Sequence, residues 1–308
     1  MENKIVVSPD LTLDWNKYHK TMTEINRQIG TGTLTLDHLQ AVIEHRNPFI
    51  VPGWMVEMLN RERSYHKTFF GMEFDLTPFI ETVRSYGRKK INIWRKLGLE
   101  VHYFPKALMT SDANFPGWKV KPEKWFYNQL TAGKLFRLQP NGDLIVSNPA
   151  LSLERITVLI DTRCKPAYSN GVQMYENDNL LGVIIKQLRE QGKIEKYSSG
   201  TQDSRFGVSS NEWQEQVKPS VAQKLGLNIH QVRLERVIES NVIPQLYSDM
   251  PRKDDGTTST SVWYEEFLEG RGRRLYGGHS GDGGLARVSY NDSRDHWGDY
   301  AVRFLAVL

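Results

Sequence analysis

The sequence predicts an α+β protein with a helix-rich N-terminal half and a mixed C-terminal half. Several segments before residue 150 space their apolar residues three and four apart, which is the period of an amphipathic helix. Glu154–Asp161 is rich in β-branched residues, which favour strands. The closing run Tyr300–Leu308 is almost continuously apolar and predicts a buried strand.

The length allows two domains of ordinary size, since the chain has 308 residues. We place them at residues 1–150 and 151–308.

The charged fraction is typical of soluble globular proteins, and no stretch approaches the roughly 20 apolar residues that a membrane span needs. Cys164 is the one cysteine, which excludes an intrachain disulfide and fits a reducing compartment. The N-terminus lacks the pattern of a secretory signal, so we expect a cytoplasmic protein, with a component of a phage or virus particle as the alternative.

Helical spacing extends over four segments of the N-terminal half. The last of them has a plausible start at Thr77, which is followed by proline, and a plausible stop at Gly98. The four segments are Leu13–Ile29, Leu36–His45, Met55–Arg61 and Pro78–Leu97.

The last part of this half is rich in aromatic residues. Trp118, Trp125, Phe126 and Tyr127 are expected to pack in a core or between domains. After them, Pro140–Ala150 contains an Asn-Gly turn signal and predicts either a hairpin or a domain boundary.

A basic stretch, Arg84–Lys96, contains six Lys and Arg residues and no acid. With Trp94 among them, these residues are compatible with nucleic-acid binding through phosphate contacts and stacking. The alternative, which we favour, is a helix that turns Ile91, Trp94 and Leu97 to a core and leaves its basic residues in solvent. The net charge of +4 is too small to indicate a nucleic-acid partner by itself.

Two helices are predicted in the C-terminal half. The first begins after Asp178, a preferred capping residue, and ends at Gly192. The second begins at Ser209 with Glu212 in capping-box position, and Pro219 is expected to end or break it. The polar segment Pro251–Ser261 predicts a flexible loop.

The last thirty-five residues combine a glycine and apolar frame with small polar residues. Glycines at 277, 278, 283 and 284 permit backbone bends that other residues disfavour. Because the intervening positions are almost all polar, the segment is expected to present exchangeable contact residues on a fixed scaffold. A simple glycine-rich turn before an ordinary strand is the alternative.

Three motifs carry a resemblance to a known family. The C-terminal segment contains RLYGG, then GGL, then VRFL; Arg205–Val217 reads RFGVSSNEWQEQV; and Trp263 and Tyr264 lie in SVWYEEF. Together these resemble the variable proteins of diversity-generating retroelements, which share the formylglycine-generating branch of the C-type lectin fold. The resemblance covers roughly the second half of the chain and implies a C-type lectin-like domain there.

The family varies its binding surface by copying a template repeat with errors at adenines. Asn codons then become codons for residues such as Asp, His, Tyr, Ser, Gly and Arg, and these types fill the C-terminal segment. The resemblance implies an unvaried frame that includes Leu275, Leu285, Val288, Trp297 and Phe304. It implies a ligand-contacting surface of His279, Gly281, Asp282, Arg287, Ser289, Tyr290, Asn291, Asp292, Arg294, Asp295, His296 and Asp299.

The expected activity is binding of diverse ligands, with proteins rather than sugars as the expected class. Enzymes of the formylglycine-generating branch depend on cysteines, and Cys164 alone lies outside the shared motifs. We therefore expect no catalytic residue, no cofactor and no metal; a metal site among Asp292, Asp295, His296 and Asp299 is the disfavoured alternative. The rival functions are a degenerate enzyme of that branch and nucleic-acid binding through residues 84–96.

Overall fold

The computed structural model describes residues 14–32, 34–43, 51–139, 141–147, 151–163, 178–247, 261–278 and 284–308. It mixes helices and sheets, as an α+β protein does. The chain divides into two compact units, Met1–Gly53 and Trp54–Leu308. The predicted division at residue 150 is therefore misplaced. Strands on both sides of residue 150 pair in the same sheets, which joins these parts into one unit.

The smaller unit contains two described helices, α1 (Trp15–Gly30) and α2 (Leu36–Ile43). Asp14 caps α1, because its carboxylate accepts a hydrogen bond from the backbone N–H of Lys17 at 3.1 Å. Both helices were predicted, and Leu13 lies outside the described residues.

The larger unit begins with two long helices, α3 (Gly53–Phe70) and α4 (Thr77–Lys96). The helix α3 runs nine residues beyond its predicted end at Arg61, because Tyr65, Phe69 and Phe70 continue its buried face. In α4 the predicted limits agree with the structure to within one residue. Gly87 interrupts it with a φ of 73°, so the basic stretch lies across a kink.

A four-stranded antiparallel sheet forms the centre of this unit. Its order is β1–β6–β12–β7, which places the C-terminal strand between two neighbours. The closing run was predicted to be one buried strand; it is largely buried, but it forms two short strands, Tyr300–Ala301 and Phe304–Val307. The strands are β1 (Leu99–Phe104), β6 (Ile156–Asp161), β7 (Val232–Leu234) and β12 (Phe304–Val307).

A second sheet has the order β10–β9–β8–β3–β4, with β11 parallel to β8. Its β3–β4 hairpin confirms the hairpin alternative for the Asn-Gly turn. Ser261 was assigned to a flexible loop but is the buried first residue of β8; the rest of that predicted loop lies outside the described residues. The strands are β3 (Leu135–Leu138), β4 (Leu144–Val146), β8 (Ser261–Leu268), β9 (Arg273–Gly277), β10 (Val288–Asp292) and β11 (Tyr300–Ala301), and a separate pair is β2 (Ala107–Leu108) with β5 (Ser152–Leu153).

The remaining helices are α5 (Lys124–Thr131), α6 (Leu181–Glu190), α7 (Ser210–Glu212), α8 (Lys218–Leu225) and α9 (Val237–Leu246). The predicted capping box at Ser209 and Glu212 is present. Pro219 does not end the helix there: a π-helical turn, Trp213–Val217, joins α7 to α8, and Pro219 lies in the first turn of α8. The π-helical turn directly before Pro219, in which the N–H of Lys218 bonds to the carbonyl of Trp213, accommodates a residue that has no N–H for the helix ladder.

The hydrophobic core joins both halves of the sequence. Phe69 and Phe104 pack in one cluster with Leu275, Val288 and Leu305. Two of the predicted core aromatics, Trp118 and Phe126, are buried, whereas Trp125 and Tyr127 are half-buried against the same cluster. Across the described residues, no helix is both long and apolar enough to cross a membrane.

A candidate recognition surface on the C-terminal sheet

The strands β9 and β10 support the predicted surface. They pair antiparallel, with Val288 opposite Gly277 and Ser289 opposite Tyr276. A Cβ on Gly277 would lie 2.1 Å from the carbonyl oxygen of Arg287, so this close approach of the strands requires glycine. Val288 is buried, as expected for a frame residue, while Leu285 is half-buried.

The side chains of β10 point alternately to two faces of the sheet, which divides the predicted set. Ser289 and Asn291 share the face that carries Tyr276, and both are half-buried. Tyr290 points to the opposite face. There its ring stacks on Trp125 at a centroid distance of 5.9 Å, and the guanidinium of Arg273 lies 5.4 Å from its centroid. The predicted surface is thus not a single face at this strand.

An aromatic cluster forms the centre of the Ser289 face. Trp263 is fully buried and donates its indole N–H to the carbonyl of Val208 at 3.1 Å. The Tyr300 ring lies 5.0 Å from Trp263 and 4.4 Å from Tyr276. Asn291 Nδ2 donates to the hydroxyl of Tyr300 at 3.4 Å, and burial raises the pKa of that hydroxyl, which keeps it neutral. This buried cluster gives the surface a rigid base.

Trp297 lies at the outer end of this aromatic cluster and corrects the sequence prediction. It was assigned to the frame, yet 55% of its surface is exposed. Its ring stacks on Tyr300 at 6.1 Å, and its indole N–H donates to Asp295 Oδ2 at 3.2 Å. Trp297 lies in the loop between β10 and β11, where strand alternation no longer directs a large apolar side chain into the core.

Hydrogen bonds from backbone atoms hold this loop in place. The Ser293 carbonyl accepts from the N–H of Asn211 at 3.0 Å, and the Asp299 carbonyl accepts from the N–H of Ser261 at 2.9 Å. The Tyr197 hydroxyl donates to the carbonyl of Gly298 at 2.9 Å. Because every residue carries a backbone carbonyl, these bonds do not depend on the loop's own side chains.

Most of the loop's polar side chains remain accessible. Arg294 is exposed and pairs with Asp292 at 2.8 Å, and this contact holds the pKa of the Asp292 carboxyl well below its usual range. Asp295 and Asp299 are half-buried. The accessible parts of these side chains can offer hydrogen bonds and charge to a ligand.

Two members of the predicted set contact the scaffold as well. Arg287 lies 3.7 Å from Glu123, the residue whose Oε1 also accepts the N–H of Val288 at 2.7 Å. His296 lies between two carboxylates, with Nε2 at 2.9 Å from Glu212 and Nδ1 at 3.3 Å from Glu195. The neighbouring Glu212 carboxylate raises the pKa of His296. His279, Gly281 and Asp282 lie outside the described residues.

Below the surface, Arg274 ties β9 to the neighbouring elements. Its side chain is buried and donates to the carbonyl of Tyr264 at 2.6 Å, to Glu265 at 2.9 Å and to the hydroxyl of Ser210 at 3.0 Å. Sequence reasoning did not single out Arg274, because an arginine in a polar context is normally exposed. The buried Arg–Glu pair makes β9 part of the frame.

The basic stretch Arg84–Lys96 does not offer Trp94 as a platform on which nucleic-acid bases could stack. Trp94 is fully buried and donates its indole N–H to the carbonyl of Leu225 at 3.3 Å. Ile91 is buried, while Arg88, Lys89, Arg95 and Lys96 are exposed. This agrees with the interpretation of α4 as a helix with a core-facing side and a solvated basic side.

Within the described part of the chain, no group of three His, Cys, Asp or Glu residues is arranged to hold a metal ion. Cys164 lies outside that part. Two surface grooves, of about 270 and 490 Å³, lie away from the candidate surface, between α3 and α4 and between α6 and α8. The half-exposed side chains of residues 287–299 therefore remain the best-supported candidate site.

Comparisons with protein-family models, with curated proteins and with solved structures found no match.

Proposed function

We propose that the chain is a non-enzymatic binding protein whose C-terminal surface, residues 287–299, recognises varied ligands. One observation carries the proposal: backbone hydrogen bonds and buried residues hold this segment, while its polar side chains stay accessible. Exposed substitutions typically change stability by less than about 0.5 kcal/mol. Recognition can then change without loss of the fold.

The arrangement of elements supports a C-type lectin-like architecture. In chain order the second half has a strand (β6), two helical segments (α6, and α7 with α8), the strand β7, the helix α9, the strands β8 to β11 and the final strand β12. The first and last of these strands lie side by side and antiparallel. An initial strand followed by two helical segments, with strands at the end, fits the resemblance to variable proteins of diversity-generating retroelements, while β7 and α9 lie between these parts. We propose that this unit belongs to their formylglycine-generating branch.

The ligand that fits this surface best is a protein. The surface combines an exposed tryptophan with hydrogen-bonding and charged side chains on a rigid base, and the two grooves described above lie elsewhere. Trp and Arg are enriched among residues that dominate protein–protein binding energy. Trp297 and Arg294 are therefore the proposed anchors.

The proposal is tested by exchanging accessible side chains together. In the full chain, Ser289→Asn, Asn291→Tyr, Arg294→Ser and Asp295→His alter four positions of the surface and none of the buried frame. We expect a melting temperature close to that of the original protein. The ligands selected from a displayed peptide or protein library should change. Unfolding of this variant, or an unchanged ligand set, would contradict the proposal.

A genomic observation tests the retroelement origin separately. If the adenine-directed mechanism applies, the gene's 3′ end has a nearby copy that differs at adenines, beside a reverse transcriptase gene. Sequencing the neighbouring DNA decides this. Without such a repeat the surface could still bind ligands, but the family assignment would be wrong.

A further inference from the structure

The groove between α3 and α4 brings arginine side chains of both helices together. It has a volume of about 270 Å³, and all of its described lining residues belong to the larger unit. On each helix the lining positions are separated by three, one and three residues, so they share one side of that helix. The lining residues are Trp54, Glu57, Met58 and Arg61 from α3 and Arg88, Ile91, Asn92 and Arg95 from α4.

The groove has an apolar floor and a polar wall. Met58 and Ile91 are both buried, which places them at the bottom of the groove where the two helices pack. Arg88, Asn92 and Arg95 are exposed and form the wall that α4 contributes. A ligand in the groove would therefore meet apolar surface below and N–H donors at its side.

One of the arginines is held in place by the protein itself. Arg61 Nη1 donates to Glu100 Oε2 at 2.8 Å, and its Nη2 donates to the carbonyl of Val101 at 3.2 Å. The carboxylate of Glu100 offsets the charge of this guanidinium. Arg61 thus fixes one end of the groove and contributes little free positive charge to it.

The free positive charge of the groove comes from Arg88 and Arg95. In the part of the chain that the structure describes, neither side chain forms a hydrogen bond or an ion pair, although Glu57 lines the opposite wall. The surrounding stretch, residues 84–96, contains no acid. Charges of one sign along a cleft raise the local concentration of ions of the opposite sign. The groove therefore favours an anion.

The geometry of the α4 wall indicates which anion fits. A guanidinium presents its N–H groups as a planar fork, which matches the oxygens of a phosphate group. Arg88 and Arg95 are seven residues apart, which is about 10 Å along a helix. Asn92 lies between them, so a phosphate beside Asn92 is within reach of both long side chains.

The size of the groove sets the size of the ligand. Its volume lies at the lower end of the range for small-molecule sites, about 300–1,000 Å³. A phosphomonoester carries about two negative charges near neutral pH and can interact with both free arginines at once. The diester linkages of a nucleic acid carry one charge each and belong to a polymer that a groove of this volume does not enclose.

We propose that this groove binds a small phosphomonoester. The phosphate lies between Arg88 and Arg95, and the organic part lies on Met58 and Ile91. The proposal concerns a place in the fold other than residues 287–299, so it does not rest on the proposed recognition function.

Isothermal titration calorimetry of the full chain with phenyl phosphate, at low ionic strength, tests this. Phenyl phosphate should bind more tightly than inorganic phosphate, because only the former has a ring for the apolar floor. It should also bind more tightly than dimethyl phosphate, a diester with a single charge. Benzyl alcohol, which has a ring and no phosphate, should not bind.

Two matched pairs of substitutions locate the site. Arg88→Gln with Arg95→Gln should weaken phenyl phosphate binding at least about tenfold, since hydrogen bonds to charged groups typically contribute that much. Lys89→Gln with Lys96→Gln removes the same number of charges from adjacent exposed positions of α4 that are not among the lining residues. This control should change Kd by less than about twofold, because salt screens exposed charges that do not touch the ligand. Circular dichroism should show that both variants keep the fold.

Three results would overturn the proposal. The first is the absence of phenyl phosphate binding at millimolar concentration. The second is equal weakening by both pairs, which would mean that the basic surface attracts anions without a defined site. The third is tight binding of a single-stranded oligonucleotide that both pairs weaken equally, which would assign residues 84–96 to nucleic acid instead.

Discussion

His296 Nε2 lies 2.9 Å from Oε2 of Glu212, the residue that closes the capping box of α7. The loop that carries the proposed recognition surface is thus linked to the start of a scaffold helix. Glu212 Oε1 also accepts the N–H of Glu195 at 2.6 Å. One carboxylate therefore joins three segments, and His296 contributes to the fold as well as to the surface.

This pair predicts a pH-dependent stability. The pKa of His296 is raised in the folded protein and that of Glu212 is lowered. The stabilisation from His296 is fully present below its unfolded pKa of about 6.5 and is lost as pH rises through the raised folded pKa. The stabilisation from Glu212 is fully present above the pKa of about 4.3 that this carboxyl has in the unfolded chain. It is lost as pH falls through the lower pKa of the folded protein.

We expect His296→Asn to lower the melting temperature more near pH 5.5 than near pH 8.5, since only charged histidine gains from both carboxylates. The exposed His230 provides the matched control, because His230→Asn should show no such difference. Thermal unfolding across this pH range measures the effect. An equal loss at both pH values would mean that His296 acts through packing and not through charge.

A buried carboxyl in β8 also predicts a loss of stability as pH rises. Burial raises the pKa of Glu266 to about 7, while its Oε2 accepts the N–H of Val237 at 3.1 Å. The unfolded chain loses this proton near pH 4.3, before the folded protein does, so the folded protein loses stability between that pH and about 7. Glu266→Gln keeps an acceptor and cannot ionise.

The expected gain from Glu266→Gln in the free energy of unfolding is up to about 3 kcal/mol near pH 8 and only about 1 kcal/mol near pH 5. Urea unfolding at both pH values measures it. The exposed Glu73→Gln is the control and should change little. A loss of stability at pH 8 would show that the Glu266 carboxylate is stabilising in its ionised form.

The sequence predicted those elements whose signals are local. The capping box at Ser209 and the apolar face of α4 depend on residues a few positions apart, and both are present. The domain boundary was wrong because β1 pairs with β6 and β3 with β8 over long sequence separations, which periodicity does not report. The strand β7, with three residues, was too short to predict.

For the candidate surface, the residue types predicted which side chains are accessible to solvent better than they predicted the face of the sheet to which each side chain points. The polar residues from Arg287 to Asp299 that were assigned to the surface are all at least partly accessible in the structure. Tyr290 points away from Ser289 because adjacent residues of a strand face opposite sides of the sheet, and its partner there, Trp125, belongs to α5, which is distant in sequence. Trp297 was wrongly placed in the frame because a large apolar side chain is buried by default, and its contacts follow from a loop path that the sequence does not encode locally.

Removal of the C-terminal strand is expected to abolish folding. Deleting Val302–Leu308 takes β12 from between β6 and β7 and leaves two unpaired strand edges in the centre of the sheet. Deleting Leu308 alone should be tolerated far better, since β12 itself ends at Val307. Soluble yield and far-ultraviolet circular dichroism measure both. A folded, soluble protein without residues 302–308 would show that β6 and β7 do not need β12.

Two aromatic residues seven positions apart allow the buried frame to be distinguished from the binding surface by the stability of their alanine variants. Phe304 is fully buried and stacks on Trp213 at 6.1 Å, whereas Trp297 is mostly exposed. Phe304→Ala should therefore cost about 3–5 kcal/mol in the free energy of unfolding, the usual range for a buried aromatic ring. Trp297→Ala should cost less than about 0.5 kcal/mol, as exposed positions usually do.

Binding should show the reverse order, because tryptophan is enriched among the few interface residues whose loss costs at least about 2 kcal/mol of affinity, which is about thirtyfold in Kd. For a ligand selected on the original protein, Trp297→Ala should weaken binding by that amount, and Trp297→Phe should restore part of it. If Trp297→Ala lowered stability as much as Phe304→Ala and left binding intact, Trp297 would belong to the frame after all. Its exposed ring would then have no role in recognition.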